Sequence, residues 1–222
     1  MFDYTQKILN LLDAPTQIEA LYQAMQLEKT RRNHFREWIT PCLKAEFING
    51  QIILHSPDER RHWRVLDLLS SILSVFTGIK KLGVVGKKVL VALTRNDYEP
   101  DLVFFSKEVA DTFTEDQMLF PAPDFVVEIL SKGTASLDKG IKKDDYAAHG
   151  VREYWIIDPI RQHISQYILL SPSDKKYAPP KVFRLDEDIE SWVIKGFNIP
   201  VQALFDEATN LETLQILLQN KN

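Results

Sequence analysis

Residues 123–131 read PDFVVEILS, and Glu128 stands inside the apolar run Phe125-Val126-Val127-Glu128-Ile129-Leu130. A strand here buries that carboxylate on whichever face it points to, because the neighbours on both faces are apolar. Carboxylates are almost never fully buried unless a cation or a metal pairs with them. Left alone, one would consume a large part of a total stability of about 5–15 kcal/mol. A second carboxylate repeats the anomaly: EPDLVFF sets Asp101 immediately before Leu102-Val103-Phe104-Phe105, with Pro100 tolerated at the strand's start. If strands 101–105 and 124–130 are neighbours, Asp101 and Glu128 face each other. Two close carboxylates repel, and one takes up a proton unless a cation holds both. Mg²⁺ is bound by one or two carboxylates together with waters and substrate phosphates, so the pair predicts a metal site open to substrate. The same spacing leaves an alternative open, in which Asp101 is a turn residue and Glu128 pairs with a buried Arg or Lys. Pro123-Asp124 is a second copy of the dipeptide and reads as the turn into the strand.

Phosphodiester hydrolysis also needs positive charge near the attacking water. The residue that shares Glu128's face two positions on is Leu130, which cannot supply it. On the following helix, Asp138, Lys142, Tyr146 and His149 fall on one face. If that helix packs on the sheet, Lys142 reaches toward Glu128; otherwise it is a solvated lysine beside Lys139 and Lys143. Other chemistries lack their signatures. There is no G-x-S-x-G or G-x-G-x-x-G, and GVVGKK lacks the spacing and hydroxyl of a phosphate-binding loop. The five histidines show no H-x-x-x-H pattern, and Cys42 is a lone cysteine.

The elements that must position these groups follow from periodicity. Residues 1–38 read as helical, with Thr16 and Glu19 as a capping box and Pro41 as the stop. AEFINGQIILHS reads as a hairpin about Asn49-Gly50. Residues 58–76 carry a helical stripe of Val65, Leu68, Leu69, Ile72 and Leu73. GVVGKKVLVAL, EPDLVFF, 124–130 and REYWIID read as strands, and the acidic segment 106–122 as a solvated loop. SLDKGIKKDDYAAHG reads as a helix capped at Ser136 or Asp138 and stopped by Gly150. HISQYILL, KVFRL and SWVIKGF suggest an antiparallel meander before a last helix. This order implies an α/β domain with a mixed sheet, residues 41–222, behind an N-terminal helical arm, residues 1–40.

No stretch is long and apolar enough to span a bilayer, no signal peptide is evident, and the single cysteine suits the cytosol. A net charge of −4 argues against a nucleic-acid coat protein but leaves room for an enzyme with a local basic groove.

PDFVVEILS followed by DKGIKKDDYAAHGVREYWIIDP, together with AEFINGQIILHSP and EPDLVFF, resembles the Uma-type restriction-endonuclease-like family of bacteria. That family belongs to the PD-(D/E)XK nucleases, and the resemblance covers roughly residues 44–206. It implies a restriction-endonuclease-like core, a mixed β-sheet flanked by helices. It assigns Asp101 and Glu128 as ligands of Mg²⁺ or Mn²⁺, Glu46 as an early acidic residue completing the metal shell, and Lys142 as the catalytic lysine displaced onto the helix. His62 is a weaker match. SKGTAS stands where the family often has Ser-Pro-Ser-Thr. The implied activity is metal-dependent hydrolysis of phosphodiesters, of DNA before RNA. The rival expectation is a catalytically idle nuclease-fold protein with a binding or regulatory role. Either is compatible with a homodimer whose interface includes Phe35, Trp38 and the arm.

Overall fold

The computed structural model describes residues 2–40 and 42–219; Pro41, expected to end the arm, lies outside them. The arm is two helices, α1 (Phe2–Leu9) and α2 (Ala14–Trp38). Helix α2 begins earlier than the expected capping box. Asp13 precedes it, Pro15 fits its first turn, and Gln17 donates to the Asp13 carboxylate at 2.9 Å, leaving Thr16 inside the helix. The end of α2 is docked on the domain: Arg32 and Phe35 are buried.

Strands β1 (Ala45–Ile48) and β2 (Gln51–Leu54) pair antiparallel. Asn49 and Gly50 between them have φ of 48° and 81°, the conformation a two-residue hairpin requires. Helix α3 (Arg60–Lys80) buries Val65, Leu69, Ile72 and Leu73. The apolar run after it breaks at Lys87-Lys88 into β3 (Gly83–Gly86) and β4 (Leu90–Ala92), which join different sheets. Next come β5 (Asp97–Tyr98) and β6 (Leu102–Ser106). The acidic segment contains a short helix, α4 (Lys107–Ala110), and strand β7 (Leu119–Phe120), with Glu108, Asp111, Glu115 and Asp116 exposed.

Strand β8 (Phe125–Ile129) is buried along its whole length. Helices α5 (Ala135–Leu137) and α6 (Lys143–Ala148) flank a kinked stretch, Asp138–Lys142, in which Gly140 leaves helical conformation. Thr134, ahead of both expected caps, precedes α5, and Gly150 at φ 81° closes α6. Strands β9 (Glu153–Asp158), β10 (His163–Ile168) and β11 (Lys181–Phe183) follow. SWVIKGF, expected as a strand, is the loop joining the hairpin β12 (Asp188–Glu190) and β13 (Asn198–Pro200). Its Ile194 and Phe197 are buried in the core, which is why it reads as apolar. A 3₁₀ turn, Val201–Leu204, leads into α7 (Glu207–Gln219).

The central six-stranded sheet runs β11-β10-β9-β8-β6-β3 and is mixed: β8 and β9 are parallel, their neighbours antiparallel. Alternation gives its two faces different covers. Leu102, Phe104, Phe125, Val127, Trp155 and Ile157 pack with α3 and the β12–β13 hairpin. Val103, Phe105, Val126, Tyr154 and Ile156 pack with Val91 and Tyr98 of the second sheet, β2-β1-β5-β4-β7, and with Tyr146 of α6. Glu128 shares that second face, as does half-buried Leu130.

Candidate active site

Three separate elements deliver carboxylates to one place. Register pairs Leu102 with Val127, and one further step sets Asp101 opposite Glu128 on adjacent central strands. The tight Asn49-Gly50 hairpin brings Glu46 of β1 alongside. The kinked stretch buries Asp138 and Lys142 together.

Lys142, 1% exposed, is the hub of this group. Its Nζ lies 2.8 Å from Glu46 Oε1, 3.1 Å from Glu128 Oε1 and 3.1 Å from Asp138 Oδ1. The Tyr146 hydroxyl donates to the same Glu128 oxygen at 3.2 Å. Glu46 Oε1 also accepts from the Glu99 amide at 2.9 Å, and its Oε2 stands 3.1 Å from His55 Nε2. Asp101 has its own partners. Lys44 Nζ donates to Oδ1 at 2.8 Å, the Ile129 amide donates to Oδ2 at 2.8 Å, and His62 Nε2 lies 3.1 Å from Oδ2.

The expected face of Asp138, Lys142 and Tyr146 therefore converges on Glu128, while His149 diverges to Thr94 and Asp145. Helical spacing exposed Asp138 and Tyr146 as neighbours of Lys142. Nothing in the sequence marked Lys44, His55 or Glu99, whose roles depend on how the hairpin sits against β6.

The electrostatics follow from burial and count. Burial pushes the Glu128 carboxyl well above the usual range, and although Lys142 opposes this, Asp138, Asp101 and Glu46 reinforce it. Asp138 is raised in the same way. Burial also works to raise Glu46, but Lys142 and His55 outweigh it and hold the group low. Asp101 is likewise held low against its burial, by His62 and Lys44. Five buried carboxylates (Glu46, Glu99, Asp101, Glu128 and Asp138) pack here with Lys44, Lys142, His55 and His62, while Arg61, Lys132, Lys139 and Arg161 stand further out around the same cavity. Within that inner cluster the carboxylates outnumber the cations by one even with both imidazoles protonated, so a proton or a further cation balances it.

These groups line one side of a cavity of about 580 Å³. Glu99, Asp101, Glu128 and Lys142 face it; Glu46 and Asp138, buried behind them, are not among its lining residues. Around the cavity stand Arg61 and Arg161, with 54% and 75% of their side chains exposed, and the exposed Lys132 and Lys139. Two buried polar atoms beside the carboxylates make no hydrogen bond: His62 Nδ1, 3.6 Å from Asp58 Oδ2, and Asp138 Oδ1, which has only its ionic contact to Lys142. Among the described residues no three His, Cys, Asp or Glu side chains converge as a ready-made metal cage. The donors that face the cavity are mainly carboxylates, Asp101 and Glu128 together with Glu99, Asp158, Asp58 and Glu59. That is the oxygen chemistry of a hard divalent ion whose remaining ligands are water and phosphate.

Phe35, expected at a dimer interface, is buried within its own chain, 1% exposed and packed on Phe47 with ring centroids 5.8 Å apart. Trp38 is 47% exposed. No helix among the described residues is long and apolar enough to cross a membrane.

Comparison with known proteins bears on this arrangement. No curated protein matches the chain. Among solved structures, "a putative nuclease belonging to DUF820 from Anabaena variabilis ATCC 29413" superposes with a TM-score of 0.68, covering 80% of this chain and 97% of that one. At 18% identity this likeness shows the fold, a mixed α/β nuclease-like core. Residues 32–202 match the family described as "Uma2: Putative restriction endonuclease", from the last turns of α2 into the 3₁₀ turn. With most of its 222 residues inside that match, the chain belongs to the Uma2 family.

Proposed function

We propose that the chain is a divalent-cation-dependent endonuclease acting on DNA in the cytoplasm, with Mg²⁺ as the ion and Mn²⁺ as its substitute. The observation that carries this reading is the cavity lined by Asp101 and Glu128 from adjacent strands together with two further buried carboxylates, Glu99 and Asp158. An ion bound there supplies charge to stabilise the phosphate and lowers the pKa of the attacking water. The protein's part is positioning. Lys142 holds Glu128, Glu46 and Asp138 in one arrangement, and at 1% exposure it acts through those carboxylates rather than on substrate. Arg61, Lys132, Lys139 and Arg161 place positive charge where a phosphate backbone would approach. The restriction-endonuclease description of the family favours DNA over RNA.

A second reading rests on a specific observation. Asp101, Glu46, Glu128 and Asp138 each already touch a lysine or histidine, as an idle nuclease-fold binding protein would require. Either reading accommodates a homodimer through α2, whose Ile18, Leu21, Tyr22, Met25 and Leu27 are exposed.

Titration of Mg²⁺ and Mn²⁺ into the wild type and into Asp101→Asn/Glu128→Gln, by calorimetry and melting temperature, separates the readings. The nuclease reading expects binding and stabilisation in the wild type alone, followed by cleavage of plasmid DNA. A wild type that binds neither ion leaves only the fold in common with nucleases.

A further inference from the structure

Lys142, the lysine expected to serve the chemistry, is 1% exposed and held by three carboxylates. The cavity holds a second lysine on the other carboxylate. Lys44 is the residue before β1, and its carbonyl accepts from the His55 amide at the open end of the β1–β2 hairpin, which fixes its backbone. Its Nζ lies 2.8 Å from Asp101 Oδ1, its side chain is 25% exposed against 4% for Asp101, and it lines the cavity. Lys44 is thus the lysine that both touches a cavity carboxylate and retains access to solvent. It holds Asp101 by a single contact, whereas Lys142 is held by three. An ion approaching Asp101 from the cavity competes with Lys44 for the Oδ1 oxygen; Oδ2 is already taken by the Ile129 amide and His62.

We propose that Lys44 is a resident counter-cation, displaced from Asp101 when a divalent ion binds, and that its freed ammonium then holds a phosphate of the nucleic-acid backbone. The proposal rests on the metal-dependent reading of the cavity. A lysine is suited to this exchange: its charge sits at the end of a flexible four-carbon stem with rotatable donors, so it moves between partners without rebuilding the site. The exchange also keeps the cavity near one charge state. The lysine neutralises Asp101 when no ion is present, and with an ion bound it serves the phosphate that the ion attracts.

The proposal makes two expectations of opposite sign for Lys44→Gln, which keeps a polar side chain one atom shorter and removes the charge. Without its competitor, Mn²⁺ binds more tightly by calorimetry, by about threefold or more for an ion pair of this exposure. A duplex DNA oligonucleotide, followed by anisotropy with Ca²⁺ as the oxygen-liganded ion, binds more weakly. Its dependence of log affinity on log salt flattens by about one, the signature of one lost phosphate contact. Lys44→Arg restores the salt slope. A lysine of purely structural importance would lower both affinities together and leave the salt slope alone. Equal or weaker Mn²⁺ binding by Lys44→Gln overturns the exchange, and an unchanged salt slope overturns the phosphate contact. A wild type that binds no Mn²⁺ brings down the metal reading and the exchange with it. Should Lys44→Gln melt too early to assay, Lys44→Met repeats both measurements.

Discussion

Lys142 Nζ and Glu128 Oε1 meet at 3.1 Å with 1% and 4% of their side chains exposed, and the same ammonium also serves Glu46 and Asp138. One cation shared by three carboxylates makes the two halves of the pair unequal. Replacing Lys142 by Met leaves three buried carboxylates with no lysine among them, and breaking a buried pair in this way costs about 3–5 kcal/mol. Replacing Glu128 by Gln removes one member of a repelling group and keeps an acceptor for Tyr146. Lys142→Met should therefore lower the melting temperature by about 2–4 °C per kcal/mol lost. Glu128→Gln should leave it unchanged or raise it. Equal destabilisation by both would mean that the ion pair, rather than the surplus of negative charge, governs the site.

The same surplus sets the pH dependence. Glu128 and Asp138 are raised above 4.5 and 3.8, chiefly by burial, so above those values the folded chain keeps protons that the unfolded chain has shed. His62 opposes its own burial through Asp101 and is raised above 6.5, with the same consequence there. Where the native state binds more protons, stability falls as pH rises. Asp101 and Glu46 are held below 3.8 and 4.5, so their contribution is present above those values and is lost toward acid. Melting temperature should peak on the acidic side of neutrality and decline as pH rises past 6.5. His62→Gln should make that decline shallower, and Glu128→Gln should make shallower the loss of stability that sets in above 4.5. A melting temperature that climbs from pH 6.5 into the alkaline range would contradict these assignments.

Asp101 and Glu128 were legible because a charge inside an apolar strand is a local anomaly, visible without knowing the fold. Lys142 was legible through helical spacing, although Gly140 bends the helix in between. What escaped depends on contacts between distant elements. Lys44 precedes an unremarkable hairpin, and only the packing of that hairpin against the start of β6 brings it to Asp101. The run GVVGKKVLVAL reads as a continuous strand, yet Lys88 at φ 55° breaks it, a conformation that no turn residue announces. SWVIKGF has the composition of a strand because its loop buries Ile194 and Phe197, and burial selects apolar residues whatever the backbone does. Phe35 lies on the same helix as the exposed residues of the arm, and periodicity alone cannot tell a docked turn from a free one.

That docked turn yields the last prediction. Arg32 donates to both Asp97 oxygens, at 2.6 and 2.9 Å, and to the carbonyls of Leu93, Thr94 and Asn96. Arg36 adds contacts of 2.7 and 2.9 Å to the same fully buried carboxylate, and Phe35 fills the space against Phe47. Upstream the picture reverses: among residues 4–31, Ala14 is the one buried side chain. The join between arm and domain therefore lies inside α2, ahead of the expected boundary at residue 40. A chain beginning at Glu28, which keeps the paired contact to Arg95, should melt close to the full-length protein. A chain beginning at residue 41 leaves Asp97 buried without its two arginines, a loss of about 3–5 kcal/mol before the cavity left by Phe35 is counted. It should melt far lower or fail to fold. The same comparison addresses the homodimer, because the shorter stable chain lacks Ile18, Leu21, Tyr22, Met25 and Leu27. If α2 joins two copies, light scattering should give a dimeric mass for the full chain and a monomeric mass for the chain from Glu28. A dimeric mass for both would place the interface on the domain and leave the arm's exposed face without that role.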